Sequence, residues 1–226
     1  MSYHLYFICN KDKEESRYNF IHSQIINLDL DNYKIVSYYW ADDITHEFRK
    51  QWVKSDTAMR THGRTMLEKP LNNGEISLFM NHISCLKEIR ETFTEGIFII
   101  FESDVIFNKE YMIYIGELIN KLSKQNNWDI VNIGEGACNQ LPVNRIDGKL
   151  DIYKESINRC TEGIIWNYRS ICKFLELFAE TNDIDSPIDT KMDYYSEHMG
   201  CFNIFWSHPP LISQGSVKGK FKSHLR

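Results

Sequence analysis

Two kinds of apolar spacing alternate along the chain. Five segments are continuous or nearly continuous in apolar, β-branched and aromatic residues: YHLYFIC (3–9), NYKIVSYYW (32–40), GIFIIFE (96–102), WDIVNIG (128–134) and CFNIFWS (201–207). That composition predicts strands. Between them the apolar residues fall at helical spacing. Tyr18, Ile21, Ile25 and Leu28 predict a helix over 11–28, and Ile76, Phe79, Ile83, Leu86 and Phe93 mark the buried face of another over 74–93. Segments 109–124 and 163–180 continue the helical series, while the polar stretch 43–73 predicts an irregular or partly helical connection. Strands separated by helices predict an α/β fold: a Rossmann-like, mostly parallel sheet with helices on both faces.

One strand is unusual at its end. Residues 97–101 are all apolar, as a central strand requires, and Glu102-Ser103-Asp104 follows at once. In such sheets ligands sit at the carboxyl ends of the strands. Two acids one residue apart at that rim repel each other unless something positive lies between them. A hard divalent cation, Mn2+ or Mg2+, with carboxylate and phosphate oxygens around it meets that need. The other Asp-x-Asp strings, Asp29–Asp31 and Asp183–Asp185, follow helices rather than buried strands and read as polar turns.

Composition narrows the function classes. The 226 residues, 42% hydrophobic with a net charge of -5, fit one globular domain spanning 1–226 and argue against general nucleic-acid binding. The six cysteines include no C-x-x-C pair, so reduced and mostly buried thiols are expected. The opening MSYHLYFICN lacks a positive leader region, and no apolar run approaches 18 residues. A protein of the cytosol, or of a particle assembled there, without a membrane span, is the expectation.

The motifs, taken in order, resemble glycosyltransferase family 25, which includes lipopolysaccharide-biosynthesis and collagen galactosyltransferases. LNNGEISLFMNHISCLKEI followed by GIFIIFESDVIF is similar to that family's Gly-Glu-(Ile/Leu)-Gly-Cys…Ser-His helix and its strand ending Glu-Asp-Asp-Val. YFICNKDKEESR, YYWADD, WDIVNIGEG, TEGIIWNYRSICKFLEL and SPIDTKMDYY resemble further family segments in the same order, covering nearly the whole chain. The departures are Ser103 for the central Asp, Ser77-Leu78 for Gly-Cys, and Asn81 for the Ser before His82.

The resemblance implies a GT-A fold and a nucleotide-sugar donor, most often a UDP-sugar. It also implies inverting transfer of a hexose or N-acetylhexosamine to a hydroxyl of a glycan or a hydroxylysine-containing acceptor. Asp104 is then the metal ligand, with Glu102 beside it and His208 as a third ligand. Asn10, Arg17 and Asp42, with Asp43 as alternate, are donor-binding candidates at the ends of the first two strands. Glu75, Leu78 and His82 share a helix face, so Glu75 and His82 join them; capping and core packing are the competing roles. Ser103 joins them at the strand end. The segment 208–226 carries Lys218, Lys220, Lys222 and Arg226 with pliable Gly215 and Gly219, and is expected to fold over the donor diphosphate. Asp189, after Pro187, is the expected catalytic base, with Glu162 as its rival and Asp185 and Asp193 as loop charges. Trp166, Tyr168, Tyr194 and Tyr195 are candidates for stacking on sugar. A non-catalytic nucleotide-sugar or glycan-binding relative is the alternative. A nucleotidyltransferase ranks third, because NKDKEESR holds no glycine for a phosphate loop.

Overall fold

The structure is a computed structural model that describes residues 3–54, 58–62, 65–136, 141 and 150–223. Strands are β1 (Tyr3–Ile8), β2 (Tyr33–Val36), β3 (Ala58–His62), β4 (Thr65–Lys69), β5 (Ile97–Glu102), β6 (Val105–Phe107), β7 (Ile130–Asn132), β8 (Asp151–Glu155), β9 (Gly163–Asn167), β10 (Ile204–His208) and β11 (Ile212–Gln214). Helices are α1 (Glu15–Asn27), α2 (His46–Trp52), α3 (Asn73–Thr92), α4 (Tyr111–Leu122), α5 (Tyr168–Thr181) and α6 (Ile188–Asp193).

A seven-stranded sheet in the order β2-β1-β5-β9-β7-β10-β8 forms the centre. The α/β class holds, but the sheet is mixed. β1–β2, β1–β5 and β7–β10 pair parallel, whereas β5–β9, β7–β9 and β8–β10 pair antiparallel. The source of the antiparallel middle is β9. Its residues begin the segment 163–180 that helical spacing assigns wholly to a helix. Ile164, Ile165 and Trp166 are instead three consecutive buried strand residues, and Asn167 starts the helix by accepting the Ser170 N–H at 2.8 Å. An N-cap of this type marks where helical backbone begins.

β5 explains its own composition. All six residues are buried. Phe98 and Ile100 enter the core on one face with α3, α5 and α6, and Ile97, Ile99 and Phe101 enter the core on the other with α1 and α4. A strand covered on both faces has no position for a polar side chain until it ends.

The connection 43–73 is more ordered than its polarity implies. Among its described residues it forms α2, capped by Thr45 through the Phe48 N–H at 3.2 Å, and the antiparallel β3–β4 ribbon. A second ribbon pairs β6 with β11, so the chain leaving Asp104 is hydrogen-bonded to the chain entering Gly215. Neither three-residue strand carries a sequence signal. Of the six cysteines, Cys138 lies outside the described residues. Of the other five, Cys9 and Cys85 are buried and Cys160, Cys172 and Cys201 half-buried. No helix among the described residues is long and apolar enough to cross a membrane.

His82 lies wholly inside α3's buried face, with neither ring nitrogen hydrogen-bonded. Burial pushes its pKa down to about 4. The unfolded chain takes up this proton near pH 6.5, and the folded chain does not until about pH 4. The stability present above pH 6.5 is therefore lost as pH falls through that window, by up to roughly 3 kcal/mol. His82→Leu is expected to remove that part of the pH dependence, read as the difference between urea unfolding of variant and parent at pH 5 and pH 7.5.

Candidate functional site

The carboxyl edge of the sheet gathers the ionisable groups. Strand register sets Ile8 beside Glu102, and Glu102 donates its N–H to the carbonyl of Glu162 at 3.3 Å. Gly134 comes next, with no side chain: a Cβ there would lie 2.1 Å from the Glu162 carboxylate. His208 lies beyond Gly134, two residues past the Trp206–Asn132 pair. Glu102 and Glu162 are thus cross-strand neighbours on one face. His208 is three strands from Glu102, about 14 Å at the usual spacing. It stands on the correct edge but is out of reach as a ligand on the same ion.

A cleft opens over this edge. Its lining includes Ile8, Asn10, Glu14 and Arg17 from the start of the chain, and Tyr39, Trp40 and Ala41 after β2. Gly74, Ser77, Leu78 and Asn81 come from α3, Glu102 to Asp104 form the floor, and Gln214, Ser216 and Ser223 supply the C-terminal wall. Its cavity volume is about 140 Å³. Small-molecule sites span roughly 300–1,000 Å³.

Asp104 is 3% exposed. Its Oδ2 accepts the Ser216 N–H at 2.9 Å, its carbonyl accepts the Gly215 N–H at 2.7 Å, and its Oδ1 has no partner. Glu102 is held by the Thr161 hydroxyl. Burial and then the adjacent Asp104 charge push the Glu102 carboxyl up to about 8, so one proton is retained at neutral pH. Glu162 is 1% exposed; its Oε1 accepts the Gly136 N–H at 2.9 Å and its Oε2 has no partner. Burial raises it to about 7, against the lowering effect of the Gly136 hydrogen bond. Asp189, at the start of α6, is raised chiefly by burial and is also within the field of Glu75.

Several expected roles change. Ser103 and Arg17 turn toward each other: Arg17 donates to the Ser103 hydroxyl at 2.7 Å and pairs with Glu14 at 3.2 Å, and Ser103 donates to Glu14 at 2.6 Å. All three are buried. Arg17 is thus a structural cation at the cleft wall rather than a free donor-binding one. Asn10 lines the cleft, but its Oδ1 accepts the N–H groups of Asp12 and Lys13. Asp42 is exposed and pairs with Lys13 at 3.5 Å, and Asp43 accepts the Trp40 N–H at 2.6 Å.

Glu75 closes a capping box with Asn72. The face of α3 turned to the cleft is Gly74, Ser77, Leu78 and Asn81, one residue round from the expected Glu75–Leu78–His82 face, and His82 points into the core. Lys218 pairs with Glu135 at 2.8 Å, and Lys220 lies 3.3 Å over the Phe20 ring. Neither lysine lines the cleft, although the segment that carries them does pack against Asp104; Arg226 lies outside the described residues. Trp166 and Tyr195 are core residues against Phe174, and Tyr168 is tied to the Arg90 carbonyl at 3.2 Å; Tyr194 is exposed. Asp185 pairs with buried Lys191 at 2.8 Å, while Asp193 holds Asn158.

Glu14, Tyr39, Trp40, Ser77, Asn81 and Ser216 are site residues that sequence reasoning missed. Asn81 had a usable signal, since it follows Gly74 and Ser77 at helical spacing. It accepts the Tyr38 and Tyr39 N–H groups at 2.8 and 3.2 Å and so shapes the wall. Glu14 had none, because its contact with Ser103 spans 89 residues.

No protein-family model matches the chain, and no curated protein matches it at a significant level. The resemblance to glycosyltransferase family 25 therefore rests on the motifs alone.

Restoring the family's acid at Ser103 is expected to harm this chain. Ser103→Asp sets a second carboxylate against Glu14 with one guanidinium between them. A loss of about 3 kcal/mol follows, typical of an uncompensated buried charge. Glu14→Gln in the same chain is expected to recover most of it, measured by urea denaturation.

Proposed function

We propose that the chain is a metal-assisted glycosyltransferase that moves a hexose or N-acetylhexosamine from a UDP-sugar to a hydroxyl acceptor. The observation that carries this reading is the buried Asp104 carboxylate at the cleft floor, its Oδ1 unpartnered and Glu102 beside it.

An all-oxygen pair of this kind fits a hard cation such as Mn2+ or Mg2+, which commonly takes one or two carboxylates plus phosphate oxygens. Among the described residues no cluster of three or more His, Cys, Asp or Glu side chains could hold an ion. Two protein ligands, Asp104 and Glu102, would therefore leave the other positions to diphosphate and water. When bound, the ion supplies positive charge where the leaving diphosphate becomes more negative.

The residues themselves do the rest. Ser216 N–H holds one Asp104 oxygen and leaves the other without a protein partner. Tyr39 and Trp40 offer aromatic faces to the base or sugar. Asp189 is the base that accepts the acceptor hydroxyl's proton. It keeps some exposure, whereas Glu162 is sealed in; burial raises both carboxyls, and each has one oxygen accepting a backbone N–H. The acceptor is a glycan or a hydroxylysine-containing chain.

A second reading, a nucleotide-sugar-binding relative without turnover, draws on one observation: Ser103 and Arg17 are engaged with Glu14 rather than turned to a ligand.

Incubation with a panel of UDP-sugars and Mn2+ separates the readings. Steady release of UDP, lowered at least about 100-fold by Asp104→Asn, is the expected result for the enzyme. A donor-induced rise in melting temperature without UDP release supports the binding relative, and neither effect with any donor overturns both.

A further inference from the structure

The C-terminal segment is fastened at two places, and both lead to the Glu102-Ser103-Asp104 turn. At its start, Gly215 and Ser216 hold the Asp104 carbonyl and Oδ2. At its end, the Arg17 guanidinium donates to the Lys222 carbonyl and lies 5.4 Å from the Phe221 ring. Phe221 in turn packs on Phe20 at 5.6 Å, and the Lys220 ammonium covers the other ring. Arg17, Phe221, Phe20 and Lys220 thus interleave cation and aromatic face between helix α1 and the segment. Each such contact contributes about 0.5–2 kcal/mol. Arg17 is itself anchored by Glu14 and Ser103, so the second fastening also ends on the strand turn.

The fit is tight where the chain crosses Asp104. A Cβ on Gly215 would lie 2.8 Å from the Asp104 carbonyl and 2.7 Å from the Phe221 ring. The segment also closes the cleft. Gln214, Ser216 and Ser223 form one wall, and the cavity volume, about 140 Å³, is below the roughly 300–1,000 Å³ of small-molecule sites.

We propose that residues 215–223 form a strap that opens as one unit to admit a nucleoside diphosphate and on closing sets the Asp104 carboxylate, with Arg17 as the positioning residue that latches it. The function of the strap rests on the reading of Asp104 as the ligand-holding residue; its closure and latching do not.

Limited trypsin digestion of the full chain tests this, each substitution being read at lysines that its lost contacts do not involve. Phe221→Ala is expected to raise cleavage after Lys218 about 10-fold, the loss of roughly one cation–aromatic and one aromatic contact. Phe221→Tyr restores protection. Asp104→Ala, whose lost contacts are to residues 215 and 216, raises cleavage after Lys220 and Lys222. Gly215→Ala raises all three. A single cooperative circular dichroism melt in each shows that the rest of the fold is intact.

The strap is overturned if each substitution raises cleavage only at the lysines beside its own lost contacts, or if none alters cleavage. With Mn2+ and UDP as the probe, Phe221→Ala weakens binding several-fold and Phe221→Tyr recovers it. Unchanged binding in Phe221→Ala overturns the positioning of Asp104. Failure of the parent chain itself to bind UDP with Mn2+ overturns the proposed function and with it the strap's ligand role, while the cleavage pattern still decides whether the strap exists.

Discussion

Two carboxylates at the end of a fully buried strand dominate this molecule. β5 can carry no polar side chain along its length, so its first charges fall together at the rim, where burial and the adjacent Asp104 charge oppose ionisation of Glu102. The chain answers in two ways. Glu102 is bonded by Thr161 and retains its proton, and Asp104 is bonded on one oxygen by the backbone of a distant segment. The remaining oxygen of Asp104 has no protein partner. An unpaired buried acceptor is costly, and such groups persist where a ligand or mechanism uses them.

The neighbouring groups follow from the same constraint. Ser103 turns toward α1, where Glu14 and Arg17 form a buried pair. A third acid at 103 would disturb that pair, so serine suits the charge balance of this wall. Glycines at 134 and 136 leave room for the Glu162 and Arg159 side chains, which would clash with any Cβ there. At the rim, Glu102 and Glu162 are accommodated by hydrogen bonds and by the missing side chain at Gly134.

Much of the architecture was legible because burial on two faces leaves a strong mark. β1, β5, β7 and β10 match continuous apolar runs, and α1, α3 and α4 match helical spacing to within a few residues. β9 was misread because a buried strand running straight into an amphipathic helix makes one long apolar segment. Only the Asn167 cap divides it, and misreading it concealed the antiparallel middle of the sheet. The ribbon of β6 and β11 was not legible, since its pairing partners are about a hundred positions apart. On α3 the cleft-facing stripe was displaced by one residue, enough to exchange Ser77 and Asn81 for Glu75 and His82.

What the sequence determined by itself is the layered α/β order and the position of Glu102 and Asp104 at a strand's carboxyl end, because both depend on local spacing and on burial. Which polar groups meet was decided by the tertiary structure. Arg17 with Ser103, Ser216 with Asp104 and Glu162 with Gly136 are contacts between segments far apart in the chain. Charge and hydrogen-bonding capacity can be read from a residue's type, but the partner that satisfies them is set by strand register and by the path of the chain ends. That path brings the C-terminal segment back over the strand whose acids it holds.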